Sequence, residues 1–401
     1  MPCKLIRIFF MVVIFWACLL VVFYTYIGYG IFLYFLVKLR QVIKGRRLLS
    51  ADLDNLPSLT VIVAAYNEET MIEKKIQNTL SLIYPAGKCF YIFITDGSDD
   101  NTPGIVSRYP QIKLMHAPQR AGKLNAVHRA MQEVDTGIVV FTDANTILNK
   151  EALVNMARHY SDEKVGAVAG EKRVAIPGSA DATAGEGFYW KHESFLKKLD
   201  SELNSVMGAA GELFSIRTTL YQPVDPRAIL DDFMISLLIA GKNYRVVYEP
   251  AAYALENASA NIKEELKRKI RIAAGGIQSV IWLRKLLNPL LYPILSFQYI
   301  SHRVLRWTIA PFCLIIAFLA NFIIVFQNGE ALYQFLLVAQ ILFYLAAITG
   351  WLFEKTEIKI KMFFIPFYFC VMNYAVIKGI GRYYSRSQSA TWEKAGRKPD
   401  R

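Results

Sequence analysis

"VVFTDANTIL", Val139–Leu148, runs an apolar stretch straight into a carboxylate, with an amide two residues later. Short continuous apolar runs bounded by polar residues read as strands buried on both faces. Asp143 and Asn145 therefore stand at the carboxyl end of a buried strand. The same grammar recurs upstream. "LTVIVAA" (Leu59–Ala65) leads into Tyr66, Asn67 and Glu68, and "FYIFIT" (Phe90–Thr95) leads into Asp96 and the turn-rich "DGSDDNTPG". Helical patterns begin at Thr70 and at Gly122, and a further strand is expected at Ile112–Met115. This β-α-β-α order predicts an α/β fold with a mainly parallel sheet covered by helices. Ligands of such sheets bind at the carboxyl ends of the strands, where these polar clusters fall.

Outward from this segment the chain turns apolar. Of 401 residues, 54% are hydrophobic, and Ile8–Val37 contains no charged residue. That run exceeds the roughly 20 residues needed to cross a bilayer, and no small-residue cleavage site follows it, so it reads as a spanning helix and not as a signal peptide. Trp307–Phe326 and Ala331–Phe353 have spanning length too, separated by "QNGE". Met362–Ile377 contains Pro366 and is bracketed by Lys361 and Lys378, which leaves a fourth span or a re-entrant element open. Leu287–Arg306 reads as a helix lying at the interface. The expected organisation is a membrane helix and basic segment over 1–47 and a polar domain over 48–259. Interface helices over 260–306 and membrane helices with a basic tail over 307–401 complete it.

Lys38, Arg40, Lys44, Arg46 and Arg47 follow the first span, against Lys4 and Arg7 before it, so the positive-inside rule puts the large domain in the cytoplasm. A third span after the domain would leave the basic tail outside, against that rule. The net charge of +13 fits basic segments near anionic membrane lipids and an anionic substrate. No nucleic-acid module is present, which argues against a nucleic-acid partner. The five cysteines and five histidines are scattered, with no disulfide framework and no zinc spacing. The absence of a strand-following Gly-x-Gly-x-x-Gly and of a Gly-Lys-Ser/Thr loop argues against a dinucleotide oxidoreductase and a P-loop ATPase.

Carboxylates converging at strand ends beside "GKLNA" (Gly122–Ala126) have the composition of a site for a phosphorylated ligand held with a hard cation, Mg²⁺ or Mn²⁺. Asp143 and Asn145 either serve that site or cap a following helix. Asp96 is a turn residue or a ligand contact. Lys123, at a helix start, is a candidate phosphate contact. Asp231 and Asp232 open an amphipathic helix in "AILDDFMISLLIAGKNYRVVYEP", which leads to a strand around Tyr244–Tyr248. They either interact with the helix dipole or supply a general base. The basic helix "KEELKRKIRIAAGGIQSVIWLRKLL" (Lys263–Leu287) seeks a membrane surface, while Arg268 and Arg271 lie on one face and can reach a diphosphate. "GFYWKHESFLKKL" (Gly187–Leu199) is a core-facing helix in which Trp190 is a candidate for stacking on an acceptor sugar.

The ordered motifs "VIVAAYNEE", "TDGSDDNT", "GKLNA", "TDANT", "GELFSIR", "LDDF" and "RKIRI" resemble those of family 2 glycosyltransferases with a GT-A fold. The nearest in layout are the membrane-embedded members related to hyaluronan, cellulose and poly-N-acetylglucosamine synthases. The resemblance spans roughly Leu59–Ser279, and "YTYIGYGIFLY" in the first span is similar to a stretch of such bacterial transferases. It implies inverting transfer of a sugar from a nucleotide-diphosphate sugar, with UDP the family default, to a lipid-linked or growing glycan acceptor. The setting it implies is envelope or exopolysaccharide synthesis at the inner membrane, alongside other assembly proteins. It further implies that Tyr66, Asn67, Glu68 and Asp96 hold the nucleoside and Lys123 the diphosphate. Asp143 and Asn145 would stand at the metal-binding Asp-x-Asp, Asp232 would be the base with Asp231 beside the acceptor, and Arg271 would steady the leaving group. The chain departs from the family at Asn145, and at Arg268 and Ile272, which replace the outer residues of Gln-x-x-Arg-Trp. The missing tryptophan favours single transfer. Spans on both sides of the domain favour a processive synthase. A non-catalytic scaffold or transport subunit is the reading from another class.

Overall fold

The strands are β1 (Leu59–Ala65), β2 (Cys89–Asp96), β3 (Lys113–Ala117), β4 (Ile138–Asp143), β5 (Thr146–Leu148), β6 (Val165–Ala175), β7 (Leu213–Arg217) and β8 (Arg245–Asn257). Successive side chains of a strand point to opposite faces, and in β1 and β4 both sets are apolar. Val61, Val63, Ile138 and Val140 enter one core, while Ile62, Val139 and Phe141 enter the other. A sheet apolar on both faces needs cover on each.

The computed structural model describes residues 2–45, 55–175, 184–257, 262–356 and 360–385. Its eight-stranded sheet has the order β3-β2-β1-β4-β7-β6-β8-β5. β3, β2, β1 and β4 are parallel, as are β6 and β8, whereas β7 runs antiparallel to β4 and β6, and β5 to β8. The parallel half follows the predicted alternation. Of the mixed half only β8 was expected, because β5 is three residues long and β6 and β7 interrupt their apolar residues with Gly, Glu, Lys, Arg or Ser. One expectation is corrected here. Asp143 and Asn145 do not cap a helix, since the chain turns at Ala144 and Asn145 and enters β5.

The helices before the sheet are α1 (Pro2–Phe23) and α2 (Tyr29–Lys44), joined without interruption by a π-helical turn over Tyr24–Gly28. Between the strands lie α3 (Glu69–Leu80), α4 (Thr102–Val106), α5 (Lys123–Met131), α6 (Ala152–Ala157), α7 (Ala184–Leu203) and α8 (Asp231–Gly241). α3 sends Ile72 and Ile76 into one core, and α5 sends Leu124, Val127 and Ala130 into the other. The helix expected to be amphipathic, α8, buries nearly every residue from Phe233 to Ala240. It is an interior helix whose charged residues are confined to its first two positions.

After the sheet come α9 (Ile262–Trp282), α10 (Pro293–Tyr299), a π-helical turn over Ile300–Val304, α11 (Leu305–Trp307), α12 (Ala310–Asn328), α13 (Ala331–Lys355) and α14 (Lys361–Tyr384). Among the described residues, four helical stretches have the length and apolar composition to cross a membrane, Ile6–Lys44, Ala310–Gln327, Ala331–Glu354 and Lys361–Tyr384. α14 continues unbroken through Pro366 and packs against α13 and α9. Phe9, Leu20, Phe335 and Leu342 stand exposed on these helices, an apolar belt of the kind that lipid covers.

Candidate active site

The carboxyl ends of β1, β2 and β4 open on a cleft lined by Tyr66, Glu68, Asp96, Arg120, Lys123 and Asn145, among others. Its outer wall is built by Asp96. That carboxylate is 5% exposed and accepts the backbone N–H groups of Ala121 (3.0 Å) and Gly122 (2.6 Å), with Arg129 at 3.5 Å. Two charge-assisted bonds of this kind fix the loop that carries Arg120 and delivers Lys123 to the start of α5. Arg120 lies over the Tyr66 ring at 3.8 Å. Asn67 adopts a left-handed backbone with φ of 52° and bonds side chain to side chain with Asp99, while its backbone N–H reaches Ser98. The first two strand ends are thereby tied into one rim.

At the inner end of the cleft, Lys123 Nζ is 2.7 Å from Asp143 Oδ1 and 3.9 Å from Asp231 Oδ2. Burial works against a charged Lys123, yet Asp143 and Asp231 hold it above the ordinary lysine range. Burial also lifts the Asp143 carboxyl, with Lys123 pulling it back. A narrow recess continues inward between Lys123, Thr142, Gly211, Phe214 and Asp231. Asp232, beside Asp231 at the start of α8, is pushed up to about 7 by burial first and by Asp231 second. A Cβ on Gly211 would stand 3.3 Å from Asp232 Oδ2, so the glycine leaves the approach to that carboxylate narrow but open. Arg271 arrives from α9. Burial draws its pKa down, while Asp231, Asp232 and Asp143 draw it up, so its guanidinium faces the same acidic group.

Lys123, Asp143, Asp231, Asp232 and Arg271, singled out in the sequence, thus converge on one site, and Tyr66, Glu68, Asp96 and Asn145 line its outer part. Trp190 belongs to α7, but its side chain lies outside the described ones. Arg268 does not accompany Arg271 as a second free cation, because it pairs with Glu265 at 3.2 Å. Sequence reasoning missed the charges behind the site. Lys172 is buried between Glu212 and Glu256, and Lys172 holds the Glu212 carboxyl well below its usual range against its burial. Glu212 was visible in "GELFSIR" but not read as charged machinery. Lys75, wholly buried beneath the Asp143–Thr146 turn, gave no sign beyond its phase in α3.

The donor set can be tested against a divalent cation. Asp143 and Asn145 present a carboxylate and an amide carbonyl, hard oxygens of the kind Mg²⁺ and Mn²⁺ accept. Among the described residues no group of three or more His, Cys, Asp or Glu is placed to hold a metal. The residues therefore suit an ion that takes its remaining ligands from phosphate oxygens and water. An ion on Asp143 also has to compete with Lys123.

Residues 60–224 match the family model described as Glycosyl transferase family 2. The chain is similar to poly-beta-1,6-N-acetyl-D-glucosamine synthase of Staphylococcus aureus strain COL, 26% identical over 254 residues, which covers 62% of this chain and 61% of that protein. The synthase of the same name from Staphylococcus epidermidis is 24% identical over 294 residues, covering 71% of this chain and 70% of that one. Among solved structures, a mannosyltransferase from Pyrobaculum calidifontis in complex with GDP-Man and Mn²⁺ superposes with a TM-score of 0.72 at 22% identity, over 94% of this chain and 100% of that one. Strand order, cleft and family match agree on a family 2 glycosyltransferase domain over residues 60–224, with a GT-A fold.

Proposed function

We propose that this glycosyltransferase moves a sugar, with inversion, from a nucleotide-diphosphate sugar to a hydroxyl of a lipid-linked or growing glycan acceptor at the membrane. The observation that carries this reading is the arrangement of the inner cleft. Lys123, Arg271 and Asp143 gather where a diphosphate would sit, and a buried carboxylate with a raised pKa, Asp232, stands beside them. UDP remains the default nucleotide. Tyr66, Asn67, Glu68 and Asp96 would surround the nucleoside, and Asp231 the acceptor side. The product would enter envelope or exopolysaccharide synthesis, in company with other assembly proteins. The basic residues Lys38, Arg40 and Lys44 after the first apolar run support a cytoplasmic catalytic domain on a multi-pass inner-membrane protein.

In the mechanism, Asp232 accepts the proton of the acceptor hydroxyl as its oxygen attacks the anomeric carbon. The bond from that carbon to the diphosphate oxygen breaks, and the electron pair leaves with the nucleoside diphosphate. Lys123 and Arg271 stabilise the charge that develops on the departing group. Mg²⁺ or Mn²⁺ bound by Asp143 and Asn145 would supply Lewis-acid stabilisation of the same oxygens. Asp96 holds the loop that positions Lys123.

A second reading, processive synthesis of a poly-N-acetylglucosamine-type chain, is favoured by the names of the curated relatives. One experiment separates the two. The full-length protein in lipid nanodiscs is given a panel of radiolabelled nucleotide sugars, Mg²⁺ or Mn²⁺ and native lipid extract, and products are resolved by size. A single lipid-soluble product supports monoglycosyl transfer, and a ladder to long chains establishes the processive reading. No turnover of any donor, with Asp232→Asn indistinguishable from wild type in cells, returns the scaffold reading.

A further inference from the structure

A lysine in a fully dry interior demands a reason, because burying its charge costs several kcal/mol unless every donor is matched. Lys75 is 0% exposed. It projects from α3 under the end of β4, and its Nζ donates to Thr142 Oγ1 (2.9 Å), to the Thr146 carbonyl (2.9 Å) and to Thr146 Oγ1 (3.3 Å). These two threonines bracket Asp143-Ala144-Asn145. Burial draws the Lys75 pKa down to about 7; in its ammonium form it has donors and no acceptor, so each hydroxyl that receives from it must send its own proton elsewhere. Thr142 Oγ1 donates to the Glu212 carbonyl at 2.9 Å, and Thr146 Oγ1 donates to the Asp143 carbonyl at 2.9 Å. The next turn of the same helix adds a second clamp, since Asn78 accepts from the Leu148 N–H and donates to the Leu148 carbonyl, both at 2.8 Å.

The directions of these bonds matter. One arm of the network ends on the Asp143 backbone, at the side of the cleft read above as holding the leaving diphosphate. The other ends on Glu212, the neighbour of Gly211, whose Cα faces Asp232. We infer that Lys75 is a positioning residue, a buried donor that sets the spacing between the Asp143–Asn145 turn and the Gly211–Glu212 backbone, and so between the two sides of the reaction. This rests on the proposed assignment of those sides. Asn145 makes the role more demanding. A turn whose second ligand is an uncharged amide gains less from the cation itself, so its geometry has to be fixed from behind, as outer partners fix metal ligands.

The test uses full-length wild type, Lys75→Met, Thr142→Val and Thr142→Ser in lipid nanodiscs. Binding of UDP, GDP, CDP and dTDP is measured calorimetrically with and without Mn²⁺, alongside the melting temperature. Outer-partner losses of this kind weaken metal-dependent affinity by about tenfold or more. The expected result is that Lys75→Met and Thr142→Val lose the Mn²⁺-dependent gain in nucleotide affinity by that factor. Thr142→Ser, which keeps the hydroxyl, retains the gain, and the double variant Lys75→Met/Thr142→Val is no worse than the Lys75 variant alone. A folded Lys75→Met that melts lower but binds with the wild-type gain overturns the positioning role and leaves a structural lysine. If Lys75→Met does not fold, the contrast between Thr142→Val and Thr142→Ser decides the matter, and equal binding by the two overturns the inference. Wild-type protein that binds none of the nucleotides in either condition overturns the donor-site reading itself, and the role of Lys75 falls with it.

Discussion

Asp232, read above as the base, stands next to Asp231, and burial and that neighbour's charge carry its pKa to about 7. A base with that value is protonated, and idle, in acid. Because kcat/KM reports groups of the free enzyme, it is expected to rise with pH through a limb centred near 7. Asp232→Asn should lower kcat by about 10²–10⁴-fold and abolish the limb, as initial rates across that range will show. Lys123→Met should act differently. It removes the cation 2.7 Å from Asp143, so donor KM should rise and the Mn²⁺ concentration needed for half-maximal rate should fall, because the competitor for that carboxylate is gone. Residues of this kind were legible because they stand at the starts of helices, where charges open an apolar pattern. Lys75 was not, since a lysine in a helix reads as a solvated residue. The signal was present all the same: Lys75 lies in phase with Ile72, Ile76 and Thr79, on the stripe that faces the core. Glu193 and Asp200 of α7 hid in the same way, as charges in a helix whose burial only tertiary packing reveals.

Among the elements, α9 connects the membrane helices to the chemistry. It carries Arg271 inward, and at Gly275 and Gly276 it lets neighbours approach closer than any side chain permits. A Cβ at Gly275 would meet Leu230 and Ile229 at 2.7–2.9 Å, and one at Gly276 would meet the Trp307 ring at 2.5 Å. Leu230 directly precedes Asp231, so α9 is registered against the acidic pair by contact. Gly275→Val should cost about 1–3 kcal/mol through overpacking. It should also lower kcat more than it lowers the melting temperature would suggest, because Arg271 moves relative to Asp231; paired melting and rate measurements check this. The sequence revealed α9 as a basic amphipathic helix. It did not reveal that Glu265 and Lys269 are buried and paired at 3.4 Å, with a further helix, α14, packed along it. Periodicity describes one face of a helix and is silent on which partner covers it.

At the scale of the whole molecule, the membrane helices and the catalytic domain meet in a charged seam. Tyr29 of α2 donates to Asp200 of α7 at 2.5 Å, and His302 lies between Asp200 (2.5 Å) and Glu193 (3.4 Å). Arg303 and Arg306 reach Glu193 at 2.6 and 3.1 Å, and together with His302 they hold that carboxyl well below its usual range against its burial. Removing one member leaves an uncompensated buried charge, so His302→Ala or Asp200→Ala should cost about 3–5 kcal/mol, measurable as a loss of melting temperature in detergent. The apolar runs of the membrane part were plain in the composition. The seam was not, because its members are scattered from Tyr29 to Arg306 and share no motif.

The seam has a mechanical consequence. Tyr24 bonds to Ser301 and Tyr26 to Asn373 from the π-helical turn, so the first apolar helix is gripped on several sides where it reaches the domain. A catalytic head on a loose tether samples many heights above a bilayer; a head seated this way has one. If the acceptor is lipid-linked, as proposed above, the cleft would act as a gauge of depth, selecting it by how far its hydroxyl stands from the lipid surface as well as by its chemistry. Acceptors that differ only in the length of the spacer between lipid and sugar should therefore react with a sharp optimum instead of a gradual decline.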